Sequence, residues 1–224
     1  MRILAIEFSS PVRSVAVVEV TAGAASVLGT AQSAFGDADR RSSDSLDLVD
    51  AALRAARIDR AQVDCLAVGL GPGSYAGIRG AISLAQGWHL ASGVRLLGIS
   101  SVECLARQAH TEGVTGRIQI VIDAQRQEFY LAGYDLGEEC RASEPLCLAS
   151  LDQVRQRVGA GMTLVGPEIT RWFPEGRVIL PLAAALGCEA AGRSAFLRAE
   201  QLEPVYLRET QFVKAPPPRV LPLA

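Results

Sequence analysis

Ile3-Leu4-Ala5-Ile6-Glu7-Phe8-Ser9-Ser10-Pro11-Val12-Arg13-Ser14-Val15-Ala16-Val17-Val18-Glu19-Val20 decides the fold, because its pattern returns later in the chain. Residues 3–8 and 14–20 are apolar, β-branched runs, and the Ser and Pro between them read as the loop of a hairpin. A second hairpin begins at Arg117, where residues 118–122 and 128–136 flank Asp123-Ala124-Gln125-Arg126-Gln127. Asp123 ends its strand as Glu7 ends the first, 116 positions on (123 against 7) in a chain of 224 residues.

Outward from these hairpins the two halves run in parallel. After the first, a run near 25–34 extends the sheet, and Ser42-Ser43-Asp44 caps a helix whose Leu46, Val49, Leu53 and Ala56 share a face. Then come a strand over 63–69, the turn Gly71-Pro72-Gly73, a helix over 74–91, a strand over 94–99, and the capping box Ser100-Ser101-Val102-Glu103 opening a further helix. The second half repeats the order with strands near 140–148 and 162–165 around a helix over 150–158. The pattern predicts an α/β protein of two lobes, each a mixed sheet with helices, the second shortened. The cut falls in 100–116, giving an N-terminal lobe over 1–103 and a C-terminal lobe over 104–224, with Ala215-Pro216-Pro217-Pro218 in a loose tail.

Composition narrows the function classes. Twenty-two Lys plus Arg against 24 Asp plus Glu give a charge of −2, which provides no general basic surface for duplex nucleic acid. Hydrophobic residues at 49% are ample for a packed core. Glu7 interrupts the N-terminal apolar run too early for a signal peptide, and uncharged stretches such as 81–94 are too short to span a bilayer. Five cysteines without a Cys-x-x-Cys indicate reduced thiols, so the expected setting is cytoplasmic and away from membranes. His89 and His110 are too far apart for a one-turn ligand pair, and no metal site is expected.

The loudest motif is Gly69-Leu70-Gly71-Pro72-Gly73-Ser74-Tyr75-Ala76-Gly77-Ile78-Arg79-Gly80, where a strand turns into a helix. Such a turn can aim backbone N–H groups at an anion, or its glycines can serve only a tight turn and close packing. It is no dinucleotide fingerprint, since no Asp or Glu lies between Asp64 and Glu103, and no P-loop, since no Gly-Lys-Ser/Thr follows. Glu7, Ser9, Ser10, Gly71, Gly73, Ser74 and Asp123 are therefore the candidate phosphate or nucleotide loops, where a two-lobed ATPase would hold a metal–phosphate. Against catalysis, Glu7 is followed by Phe8 and Asp123 by Ala124, so neither turn has the Asp-Gly-Thr that wraps a triphosphate. No Gly-x-Ser-x-Gly elbow supports a hydrolase, and no catalytic residue is assigned. Leu46, Val49 and Leu53 on the first helix, with Ile78, Ile82 and Ala85 on the second, are either core or a surface for a partner's helix pair. A specific contact there would bury about 1,600 Å² in total.

Four blocks, namely residues 3–7, Gly71-Pro72-Gly73-Ser74-Tyr75-Ala76-Gly77-Ile78-Arg79, residues 122–130, and Glu203-Pro204-Val205-Tyr206-Leu207-Arg208, closely resemble the bacterial TsaB family, also called YeaZ. The resemblance implies a duplicated actin-like (sugar kinase/heat-shock ATPase, ribonuclease H-like) fold. It further implies a non-catalytic scaffold in making threonylcarbamoyladenosine in tRNA. The implied partner is the paralogous catalytic subunit TsaD, bound through the two helices named above, with the ATPase TsaE joining through the complex and a homodimer forming without TsaD. ATP and Mg would belong to the complex alone, and tRNA contact would be indirect. Where the family has a His-Ser step entering the first helix, this chain has Arg41-Ser42. Two other classes compete: an independent actin-fold ATPase or small-molecule kinase, and, more remotely, a glycoprotease-like peptidase.

Overall fold

The computed structural model describes residues 1–33, 44–159 and 162–207. Among the described residues ten strands form two five-stranded sheets of matching topology. In the first, β1 (Arg2–Glu7), β2 (Ser14–Thr21), β3 (Ala24–Gln32), β4 (Cys65–Gly69) and β5 (Arg95–Ile99) stand in the order β3-β2-β1-β4-β5. In the second, β6 (Gly116–Asp123), β7 (Glu128–Leu136), β8 (Cys140–Ser150), β9 (Thr163–Gly166) and β10 (Arg177–Val178) stand in the order β8-β7-β6-β9-β10. Each sheet pairs its hairpin antiparallel and its last strands parallel, and Glu7 opposite Ser14 is matched by Asp123 opposite Phe129. The duplication seen in the sequence is thus a duplication of the fold.

Both faces of the first sheet are covered, which is why its inner strands read as continuous apolar runs. Leu4, Ile6, Val15, Val17, Leu66 and Val68 point to one face, where α1 (Asp44–Ala56) and α2 (Tyr75–Ser92) pack. Ile3, Ala5, Ala16, Val18, Cys65 and Ala67 point to the other, under α5 (Ala183–Ala190). A Cβ at Gly187 would lie 2.5 Å from Val18, so glycine lets α5 sit on the sheet. In the second lobe α3 (Ser101–Thr111) covers Ile118, Ile120 and Ile122, while α4 (Leu151–Gly159) supplies Val154 to the opposite face beside Phe129 and Phe173. Where the first lobe has α2, the second has only a turn of 3-10 helix at Ile169–Arg171.

The division at residues 103/104 does not follow the packing. Helix α3 serves both lobes, with Cys104 in the first-lobe core and Val102, Leu105 and Ala109 in the second. From Ala183 onward the chain returns to the first lobe. There Leu197 N–H donates to Leu96 O at 2.9 Å, Val205 N–H to Leu70 O at 2.8 Å, and Leu202 joins the α1/α2 core. The α5 face of the first sheet, with Ile3, Ala5, Ala16, Val18, Leu97 and Ile99, would otherwise be bare apolar surface, and burying it drives this return. The Arg107–Glu189 ion pair at 2.9 Å ties α3 to α5, and Arg193, just beyond α5, pairs with Glu103 of α3 and with Glu189 at 3.0 Å. The run Ser42-Ser43 with Arg41, and the tail around Pro216, lie outside the described residues.

Candidate functional site

The first and second hairpins, the glycine turn and the end of β9 converge between the lobes on a cavity of about 470 Å³. It brings together Ser9, Ser10, Gly73, Ser74 and Asp123 from the sequence candidates. Glu7 and Gly71 are not among them.

Glu7 instead turns inward and is fully buried. One of its oxygens accepts the Ser9 N–H at 2.8 Å and the other the Ser101 O–H at 2.9 Å. Ser101 Oγ in turn accepts the Gly71 N–H at 3.1 Å, so one relay ties the glycine turn, α3 and the end of β1. Burial pushes the Glu7 carboxyl above its ordinary range, and the hydrogen bonds from Ser9 and Ser101 oppose that shift. A carboxylate so enclosed holds the turn and does not face the cavity. Gly69 is glycine because a Cβ there would run into this carboxylate.

The glycine turn is spent in the same way. A Cβ at Gly73 would collide with the Ser9 carbonyl, and one at Gly77 with the Phe8 carbonyl. The Ser74 N–H donates to Ser9 O at 2.7 Å, and Ser74 Oγ accepts the Gly77 N–H at 3.4 Å as the N-cap of α2. The hairpin's own backbone therefore packs against the glycine turn and the helix start. Of the two readings of the motif, close packing is the one these contacts support.

Asp123 Oδ1 accepts the Gln125 N–H at 2.7 Å, closing a turn in which Gln125, Arg126 and Gln127 have φ of 65°, 59° and 62°. Three successive non-glycine residues in the left-handed region are a strained arrangement that the hairpin must hold in place. The cavity also takes in Tyr75, Tyr130, Tyr206 and Glu168, none of which sequence reasoning singled out as site residues. A signal existed: the chain has four tyrosines, and three of them line this cleft.

The helix faces divide differently from expectation. Val49, Leu53, Ile78, Ile82 and Ala85 are buried in the first-lobe core, so these five are not surface for a partner; only Leu46, 51% exposed, stands free. Their apolar stripe faces the sheet because the sheet is the nearest apolar surface to cover. The outward face of α2 carries Ala76, Arg79, Gly80, Ser83, Gly87 and Leu90, the last 88% exposed. A Cβ at Gly80 or Gly87 would meet nothing within 4 Å.

Among the described residues no group of three or more His, Cys, Asp or Glu could hold a metal ion, and no helix is long and apolar enough to cross a membrane. His89 Nδ1 lies 2.7 Å from Val94 O at the C-terminal end of α2, a structural contact.

Two sheets of repeated topology around one cleft define a two-lobed α/β protein of the actin-like, ribonuclease H-like class. The protein-family model for TsaD, tRNA N6-adenosine threonylcarbamoyltransferase, matches residues 36–200, and the chain belongs to that family, on its TsaB (YeaZ) side. It is 28% identical over 181 residues to the tRNA threonylcarbamoyladenosine biosynthesis protein TsaB of Escherichia coli (strain K12), covering 73% of this chain and 78% of that one. With the protein of the same name from Haemophilus influenzae it shares 28% identity over 198 residues, covering 76% and 81%. The solved structure of YeaZ from Pseudomonas aeruginosa superposes with a TM-score of 0.75 at 26% identity, covering 92% of this chain and 99% of that one.

Proposed function

We propose that the chain is a non-catalytic subunit in the formation of threonylcarbamoyladenosine in tRNA, docking on a paralogous TsaD-type catalytic chain through the outward faces of α1 and α2. The curated relatives named above support the pathway. The observation that carries the docking is the outward face of α2. A glycine inside a helix costs about 0.5–1 kcal/mol relative to alanine. Gly80 and Gly87 both accept that cost where nothing in this chain crowds them. With Ala76 and Ser83 they leave a flat surface on which another helix can approach closely. Exposed Leu46 and Leu90 supply apolar area for the same contact.

The proposed lack of independent catalysis is supported by the close packing of the Ser9 and Phe8 carbonyls at Gly73 and Gly77, which gives these glycines a packing role in place of wrapping a phosphate. On this reading ATP and Mg act only in the complex, TsaE joins through it, tRNA contact is indirect, and the setting is the cytoplasm. Without its partner the chain pairs with a second copy through the same face. Depletion of the protein in its own cells is expected to lower threonylcarbamoyladenosine in tRNA, with restoration by the wild-type chain. Unchanged nucleoside content would sink the proposal. Turnover of ATP by the purified chain alone would favour the independent ATPase or kinase instead.

A further inference from the structure

The interlobe cavity carries a chemistry that partner docking does not use. Three tyrosine rings, Tyr75, Tyr130 and Tyr206, share it with the carboxylates of Asp123 and Glu168, and among the described residues no Arg or Lys lines it. Among the described residues neither carboxylate has an ion-pair partner, whereas acids elsewhere on the surface, such as Glu144 and Glu112, pair with arginine. Two carboxylates facing one cavity repel phosphate.

A flat cation fits where an anion does not. Carboxylates accept a guanidinium through paired, charge-assisted hydrogen bonds, and the electron-rich faces of tyrosine attract it. The mouth of the cavity already shows this contact within the chain. The Arg79 guanidinium lies 5.2 Å from the centroid of the Tyr75 ring and donates to Tyr75 Oη at 3.1 Å. Tyr206 stands 5.7 Å from Tyr75, the two rings tilted by 32°, and carries the aromatic wall across the opening. We propose that the interlobe cleft is a binding site for a guanidinium group, held by Asp123 and Glu168 between tyrosine faces. The group is supplied either by a small guanidine or by an arginine side chain on a peptide segment.

The test is calorimetric titration of the full chain at low ionic strength with agmatine, with the peptide acetyl-Gly-Arg-Gly-amide, and with Mg-ATP. Binding of agmatine alone assigns a small-molecule source; binding of the peptide assigns a presented side chain. In either case Asp123→Asn combined with Glu168→Gln is expected to weaken binding by about tenfold or more, as loss of hydrogen bonds to charged groups does. The asparagine keeps an acceptor oxygen for the Gln125 N–H, so the turn is preserved, and an unchanged melting temperature checks this. The proposal is overturned if neither guanidinium probe binds, if the double variant binds them as well as the wild type, or if Mg-ATP binds more tightly than both.

Discussion

A carboxylate with no exposed surface needs donors in place of water, and Glu7 has two, the Ser9 N–H and the Ser101 O–H. Burial nevertheless raises its pKa, so the native state holds the proton more tightly than the unfolded chain does. This contribution to stability is fully present below the ordinary glutamate pKa and is lost as pH rises through the higher native value. Glu7→Gln keeps the shape and an acceptor but has no charge to desolvate. It is expected to flatten the pH dependence of urea unfolding from weakly acidic to neutral pH and to gain on the wild type as pH rises. Glu7→Ala leaves the donors stranded and should cost about 1–3 kcal/mol. At Gly73 and Gly77 the constraint is space: alanine at either should lower the unfolding midpoint by an amount typical of overpacking, about 1–3 kcal/mol, because Ser9 and Phe8 meet it with rigid backbone. Tyr75, Tyr130 and Tyr206 show what a linear reading misses, since three rings far apart in sequence become one wall only after the lobes pack.

The α2 helix has two faces with opposite requirements. Ile78, Ala81, Ile82 and Ala85 fill the core, while Gly80, Ser83 and Gly87 keep the other side low. Leu53→Glu or Ile82→Glu is therefore expected to unfold the chain, since an unpaired buried charge consumes much of a stability of about 5–15 kcal/mol. Leu46→Glu should leave the melting temperature unchanged while weakening partner binding, as thermal melts beside pull-downs would show. The apolar stripe of each helix was legible in the sequence, but apolarity alone does not say whether a sheet or a partner covers it. Hairpins and their following helices were legible because their periodicity is strong and their turns are marked by Ser, Pro and Gly. Strand β10, two residues long, and α5, an alanine-rich helix of eight residues without a polar face, present no period to read. The return of the chain to the first lobe was missed for that reason.

At the scale of the molecule, α3 joins the lobes by placing residues in both cores, and the Arg107–Glu189–Arg193 network ties it to α5. The two tryptophans report one lobe each: Trp88 packs on the first core and Trp172 against Phe129 of the second. Unfolding followed in Trp88→Phe and Trp172→Phe variants is expected to show coincident midpoints once each variant's own stability change is allowed for, and separated transitions would mean that the lobes melt independently. In the repeated architecture the first hairpin packs its backbone on the glycine turn and the start of α2, while the outward face of α2 stays exposed. Sedimentation velocity of the chain mixed with the paralogous catalytic chain tests this most directly. The account predicts a heterodimer for the wild type, and its loss in Gly80→Leu combined with Gly87→Leu while the isolated variant melts no lower than the wild type. A heterodimer formed equally well by that variant would contradict it.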